Sequence, residues 1–170
     1  MPRKVRCTSR CALAGLLLGA GILASGAAFA GTATTTLGVS LTISAGCNVS
    51  STSVAFPAQS VLGSAVNQTG TVIITCTNTT PYNVGLDKGA GSGASVSNRL
   101  MTGPSSATVA YGLFQDAAHT ANWGNTAGTD AVAGTGNGSA QTLTVYGRIA
   151  PQTTPQPGAY ADTVNVTVSF

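Results

Sequence analysis

Short segments in which apolar and polar residues alternate recur along most of this chain, and they constrain its fold more than any other feature. A period of two places successive side chains on opposite faces of a β-strand. The apolar positions are Leu37, Val39, Leu41 and Ile43; Val72, Ile74 and Cys76; Tyr82, Val84 and Leu86; Val109, Tyr111 and Leu113; Leu143, Val145 and Ile149; and Tyr160, Val164, Val166, Val168 and Phe170. Turn-forming residues separate the segments, which favours a β-sandwich over a parallel sheet. We expect long glycine-rich loops at 89–97 and 127–140.

The first 30 residues have the three parts of a secretory signal peptide. These parts are a basic start with Arg3, Lys4, Arg6 and Arg10, an apolar run over 12–24, and the small-x-small cleavage pattern Ala28-Phe29-Ala30. The apolar run is too short for a comfortable membrane span. We therefore predict that residues 1–30 are removed on export and that the mature chain begins at Gly31.

Removal of that segment leaves very little charge. Lys88, Arg99 and Arg148 are the basic residues that remain, against four aspartates, so the mature net charge is −1. Nucleic-acid binding depends on clustered Lys and Arg that displace counterions from phosphate. Three scattered cations therefore exclude a nucleic-acid partner, and a mature length of 140 residues suits one domain.

Two cysteines, Cys47 and Cys76, remain in the mature chain. An isolated pair in an oxidising compartment is expected to form a disulfide. The bond would close a loop of about 30 residues, worth roughly 3–4 kcal/mol in the chain-entropy model. A tetrahedral metal site needs three or four ligands, and His119 is the one further candidate among cysteine and histidine. We predict the disulfide, and neither a metal site nor a cofactor.

The sequence contains no recognisable catalytic signature. His119 is the single histidine and Asp116 precedes it by three residues, so a Ser/His/Asp set could exist only through the fold. The glycine clusters at 89–93 and 134–138 lack the Lys-Ser/Thr ending of a phosphate-binding loop. Trp123 is expected to belong to the core. We predict no catalytic residues and no enzymatic activity.

Both ends of the mature chain have the pattern of a strand with one apolar face. Residues 37–43 precede Cys47, with Gly46 as a possible joint, and the last apolar positions run to Phe170. An uncovered apolar edge promotes aggregation unless another strand covers it. The pattern leaves open whether the two ends pair within one sandwich or whether the first segment is donated to another chain.

Several short sequence pieces, in a fixed order along the mature chain, carry a family resemblance. They are Leu37-x-Val39-x-Leu41-x-Ile43, Cys47-Asn48-Val49, Phe56, Val72-Ile73-Ile74-Thr75-Cys76, Tyr82-Asn83-Val84-Gly85-Leu86-Asp87-x-Gly89, Arg99-Leu100-Met101, Tyr111-Gly112-Leu113-Phe114-Gln115-Asp116, Trp123-Gly124, Tyr146-Gly147-Arg148-Ile149, Gly158-x-Tyr160-x-Asp162-Thr163-Val164 and Val168-Ser169-Phe170. In this order and spacing they resemble the spore coat protein U domain family, the pilin subunits of archaic chaperone–usher fimbriae.

The resemblance implies an all-β, immunoglobulin-like β-sandwich that lacks its final strand and carries an N-terminal donor strand. Its parts would be a signal peptide over 1–30, a donor segment over 31–45 and a pilin domain over 46–170. In that family a periplasmic chaperone lends a strand to the gap. At the outer-membrane usher, the N-terminal segment of a neighbouring pilin subunit replaces it. The donor side chains would be Leu37, Val39, Leu41 and Ile43, and the chaperone-pairing strand would present Val164, Val166, Val168 and Phe170.

The expected function is therefore a structural subunit of a fimbria that supports surface attachment or biofilm. The chain would pass through the periplasm to the cell surface, without a small-molecule substrate. The alternative is a self-complete, secreted spore-coat or matrix binding module. In that case the two end strands pair internally, and the chain is a stable monomer without a chaperone.

Overall fold

Two antiparallel sheets make up the fold in the computed structural model, which describes residues 30–170. The strands are β1 (Cys47–Ser51), β2 (Val66–Cys76), β3 (Pro81–Leu86), β4 (Arg99–Thr102), β5 (Thr108–Phe114), β6 (Val132–Thr135), β7 (Ala140–Ile149) and β8 (Val166–Ser169). A 3₁₀ turn, Pro104–Ser106, connects β4 to β5. Within residues 30–170, no helix is long and apolar enough to cross a membrane. The predicted signal peptide lies outside the described residues except for Ala30.

One sheet contains five strands in the order β1-β2-β7-β5-β4, and the other contains three in the order β6-β3-β8. Every strand pair is antiparallel. We call them the five-stranded and the three-stranded sheet. The predicted all-β sandwich is confirmed.

The core lies between the sheets and consists of the alternate residues that the sequence pattern indicated. Its buried side chains include Val72, Ile74, Cys76, Tyr82, Val84, Leu86, Val109, Tyr111, Leu113, Val145 and Ile149. Trp123 is also buried, and its indole N–H donates to the carbonyl of Val84 at 2.9 Å. The predicted core position of Trp123 is confirmed, because its one polar atom has a partner there.

The disulfide between Cys47 and Cys76 is present and joins two residues that face each other across β1 and β2. Cys47 is the first residue of β1 and Cys76 the last of β2. The bond therefore fixes the end of this strand pair at which the chain enters the sandwich from its N-terminal side.

Arg99 is the one charged side chain that is completely buried, at 0% exposure, among the described residues. Its guanidinium nitrogens donate to four backbone carbonyls, those of Asp87 (2.7 Å), Val96 (2.7 Å), Leu86 (2.9 Å) and Trp123 (2.7 Å). A buried charge is tolerated only when its hydrogen-bonding groups are satisfied. Arg99 thus joins the end of β3 to the loops on either side of it.

The structure corrects two expectations about secondary structure. The predicted loop at 127–140 contains β6, which pairs with β3. Gly134 in β6 lies against the ring of Tyr82, where a side chain would collide with it, so glycine here permits packing and does not mark a loop. The predicted strand over 160–170 is regular only in β8, because Ala161 pairs with Thr102 of the five-stranded sheet while β8 pairs with β3.

The substitution Arg99→Met should destabilise the fold by roughly 3–5 kcal/mol, because it leaves four carbonyls without donors. Urea unfolding followed by the fluorescence of the single Trp123 measures the effect. Arg148→Met is the matched control, since the Arg148 Nε atom has no hydrogen-bond partner. We expect the control to cost less than about 1 kcal/mol. Equal losses in the two variants would contradict the role assigned to Arg99.

Candidate functional site

An apolar groove with a volume of about 660 Å³ lies between the two sheets. Its floor consists of inward-facing side chains of the five-stranded sheet together with one residue of β3, namely Val72, Met101, Tyr111, Leu113, Val145 and Leu86. Two chain segments outside the regular core complete the lining. We call 51–56 the first flanking segment and 160–166 the second flanking segment.

The first flanking segment continues from β1 and is held by β2. The backbone N–H of Thr52 donates to the carbonyl of Thr71 at 2.9 Å, and the side-chain amide of Gln68 donates to the carbonyl of Ala55 at 3.0 Å. The first flanking segment can approach β7 closely because residue 147 is a glycine. A Cβ at Gly147 would lie 2.6 Å from a methyl group of Val54. This segment therefore lies at the β2 side of the five-stranded sheet.

The second flanking segment is held at the other side of that sheet. Ala161 exchanges two backbone hydrogen bonds with Thr102 of β4, at 2.9 and 3.1 Å. Farther along, the backbone and side-chain amides of Asn165 donate to the carboxylate of Asp87 at 2.9 and 2.6 Å. Since β2 and β4 are separated by β7 and β5, the two flanking segments lie on opposite sides of the inner faces of β5 and β7.

Asp87 is suited to hold this segment because it is ionised at neutral pH. Partial burial acts to raise the pKa of Asp87, but the hydrogen bonds from Asn165 and from the backbone of Gly89 outweigh it and lower the pKa below its usual value. A carboxylate is the stronger acceptor for these donors.

Asp162 connects the second flanking segment to the floor of the groove. The hydroxyl of Tyr111 donates to one carboxylate oxygen at 2.7 Å, and the other oxygen accepts the backbone N–H groups of Ala90 and Thr163, both at 2.8 Å. Burial raises the pKa of Tyr111, and the bond to Asp162 raises it further, so the hydroxyl remains a donor. Both oxygens of the one acidic side chain in the groove lining therefore have hydrogen-bond donors.

The rim of the groove is apolar but only half-buried. Six rim side chains pack against the core on one side and stay accessible on the other, namely Val54, Phe56, Met101, Tyr160, Val164 and Val166. A second cavity of about 530 Å³ shares Phe56, Met101 and Tyr160 with the first and extends along residues 57–62 and 154–158. The apolar surface is therefore elongated.

The strands next to the groove also have unpaired edges. β1 and β8 are each the terminal strand of their sheet. An edge strand presents backbone N–H and C=O groups that can pair with a further strand. An elongated apolar groove beside such edges matches an added strand, whose backbone extends the ladder while alternate side chains fill the groove.

The four predicted donor side chains are exposed in the structure, and their segment is not a strand. The side chains of Leu37, Val39, Leu41 and Ile43 are exposed to 88%, 89%, 85% and 75%, and residues 30–46 form no strand. A strand requires a hydrogen-bonding partner, and none of the described strand pairs includes this segment.

In the C-terminal segment, Val164, Val166 and Val168 are half-buried and pack against the core. Phe170, which shares their face in the strand pattern, is not buried with them. Phe170 is 61% exposed, because β8 ends at Ser169 and the paired residues of β3 end with it.

His119 and Asp116 do not form a catalytic pair. The Asp116 carboxylate accepts hydrogen bonds from Thr120 and from the backbone of Ala121. The His119 ring instead lies edge-on to Phe114, with 5.4 Å between the ring centroids. Residues 30–170 also contain no group of three His, Cys, Asp or Glu side chains that is placed to hold a metal ion.

Sequence reasoning placed Val164 and Val166 of the second flanking segment in the predicted pairing strand, but it did not indicate that the first flanking segment is part of a site. Phe56, Tyr160 and Asp162 were recognised as pieces of a pattern without a role. The low charge of residues 31–170 is the signal that could have pointed to Asp162, since an acid within an apolar alternating stretch needs hydrogen-bond partners.

The fold and the groove define an immunoglobulin-like β-sandwich in which one strand position is unfilled. A family model described as the Spore Coat Protein U domain matches residues 33–167, and the chain belongs to this family.

A solved structure with a similar fold is the CsuC–CsuE chaperone–tip adhesion subunit pre-assembly complex from archaic chaperone–usher Csu pili of Acinetobacter baumannii. The TM-score is 0.58 at 21% identity, covering 76% of this chain and 41% of that chain. A chaperone–tip adhesin complex of CFA/I fimbriae biogenesis also matches, with a TM-score of 0.36 at 12% identity and coverage of 72% and 41%. This chain thus spans about two fifths of the length of the solved chains. The comparison with curated proteins gives no match.

The substitution Tyr111→Phe should weaken the attachment of the second flanking segment by roughly 1–3 kcal/mol, because one oxygen of Asp162 loses its donor. Tyr160→Phe removes a hydroxyl that bonds the carbonyl of Gln156 at an exposed position, and it serves as the control. Hydrogen exchange of the Ala161 and Asn165 amides should accelerate in the Tyr111 variant. Unchanged exchange in that variant would show that the hydroxyl does not hold the segment.

Proposed function

We propose that this chain is a structural, non-enzymatic subunit of an archaic chaperone–usher fimbria and that it polymerises by donor-strand exchange. The observation that carries the proposal is the unfilled apolar groove in a chain whose alternating N-terminal segment is exposed. Membership of the Spore Coat Protein U domain family and the fold that it shares with an archaic pilus subunit support it.

The donor segment and the groove are chemically complementary. Four apolar side chains occur at every second position from Leu37 to Ile43, a stretch of about 20 Å as a strand. Residues 31–46 contain no charged residue, so insertion would bury no charge. Burial of four such side chains is worth roughly 6–12 kcal/mol before the costs of ordering.

The contact would join different surfaces of successive subunits, the groove of one and the donor segment of the next. A contact of this heterologous kind does not close on itself, and repetition produces a filament. A low net charge and many small polar residues are compatible with such a packed fibre.

Before polymerisation, the open groove requires a temporary partner, because exposed apolar surface and unpaired edges promote aggregation. We propose that a periplasmic chaperone supplies a strand beside the C-terminal segment that carries Val164, Val166, Val168 and Phe170. An outer-membrane usher would then exchange it for the donor segment of a neighbouring subunit. The proposal includes a signal peptide over 1–30, a donor segment over 31–45, a pilin domain over 46–170 and a final location in a surface fimbria for attachment or biofilm.

A self-complete secreted module would need its groove filled by its own chain. The exposure of Leu41 and Ile43 and the half-buried apolar rim of the groove argue against that alternative. It predicts a soluble monomer that forms without a chaperone, which a gel-filtration experiment would detect.

The substitution Leu41→Asp should abolish polymer formation, because a charge would have to enter the apolar groove without a partner. Thr42→Asp is the matched control, since adjacent strand residues point to opposite faces. Polymers are measured as ladders on gels of unheated surface extracts. Equal polymer yields from the two variants would refute the donor assignment.

The substitution Val166→Asp should reduce co-purification with the chaperone at least about tenfold, because a charge at the groove rim weakens strand pairing. Thr167→Asp places the same charge on the exposed face of β8 and should leave the complex intact. The yield of soluble complex after co-expression measures both. Loss of the complex in both variants, or in neither, would contradict the assigned pairing strand.

A further inference from the structure

The junction between the donor segment and the sandwich is fixed by one side chain that the proposed function does not explain. We propose that Thr77 is a positioning residue that holds the donor segment away from the groove of its own subunit, so that the segment is available to another copy. This inference rests on the proposed donor role of residues 37–43.

Thr77 forms a closed set of hydrogen bonds with Gly46. Its backbone N–H donates to the carbonyl of Gly46 at 2.9 Å, and its hydroxyl oxygen accepts the N–H of Gly46 at 2.8 Å. The same hydroxyl lies within donating distance of two carbonyls, that of Gly46 at 3.0 Å and that of Ser44 at 3.4 Å. Gly46 and Thr77 thus continue the ladder by one step beyond Cys47 and Cys76.

This junction lies at the far end of β1 from the groove. The groove lining begins at Ser51, about 13 Å along the strand from Cys47. To reach its own groove, the donor segment would have to reverse direction over residues 44–46 and run back beside β1. The bonds to Thr77 hold Gly46 in line with β1 and oppose that reversal.

The local sequence would otherwise permit a turn. Ser44, Ala45 and Gly46 are small residues, and Ser and Gly are common in turns. The course of the junction at Gly46 therefore depends on the bonds to Thr77 more than on the conformational preference of the linker itself. Leu41 and Ile43 follow this course and remain exposed, at 85% and 75%.

The test compares the full mature chain with three variants, Thr77→Val, Thr77→Ser and Thr75→Val. Valine keeps the shape of threonine and its backbone N–H but removes the hydroxyl, whereas serine keeps the hydroxyl. Thr75 is exposed in β2, so the same substitution there is the matched control. Each chain is refolded by dilution, with its disulfide formed, in excess fluorescent peptide of residues 31–45. The label carried per folded chain is then measured after gel filtration.

We expect the wild-type chain, Thr77→Ser and Thr75→Val to carry about equal label. In Thr77→Val the labelled fraction should fall about fivefold, the shift expected for one lost hydrogen bond. A compact, unlabelled monomer should appear in its place. A purely structural role would lower the folded yield without changing the label per folded chain, and that result would overturn the inference.

Two further outcomes decide the remaining cases. If Thr77→Val does not fold, insertion of three glycines between Ile43 and Ser44 provides the test, since it leaves Thr77 intact and frees the donor segment to reverse. Unlabelled monomer from the insertion variant supports the inference, and its absence overturns it. If the wild-type chain takes up no peptide, the donor role itself is wrong and the inference is overturned with it.

Discussion

The unequal number of strands in the two layers is the constraint on which the rest of this structure depends. Five strands face three, and within the described residues no strand lies over the groove whose rim side chains, such as Phe56 and Val164, stay half-buried. Each 100 Å² of apolar surface left in water costs about 2.5 kcal/mol. The half-buried rim and the unpaired edge of β8 both result from the unfilled strand position, and both favour pairing with a further strand.

Because no final strand supports the C-terminal segment, polar interactions hold it. Thr102 binds it on the five-stranded sheet, Asp87 binds it at the end of β3, and Tyr111 binds Asp162 from the floor. Residues 31–170 contain only seven charged residues, and two of them, Asp87 and Asp162, accept hydrogen bonds that hold this segment.

The sequence predicted those parts of the fold whose side-chain pattern is set by local burial. β2, β3, β5 and β7 alternate cleanly because each has one face on the core. β6 was missed because its glycine accommodates the ring of Tyr82, a contact between distant residues. The first flanking segment was missed for the same reason, since its position depends on hydrogen bonds to β2. The segment 37–43 has the pattern of a strand, but in the structure it has no partner strand.

The position of the disulfide has a mechanical consequence in a fibre of the proposed kind. Tension from the neighbouring subunit would enter each sandwich through the donor segment and reach the body at Cys47. Pulled from this end, β1 would peel from β2 one hydrogen-bonded pair at a time, starting at Gly46. The bond to Cys76 stops the peeling at its first step and passes the load directly to β2. That strand of 11 residues faces β7 over ten residue pairs, so the force is spread over the longest pairing among the described strands.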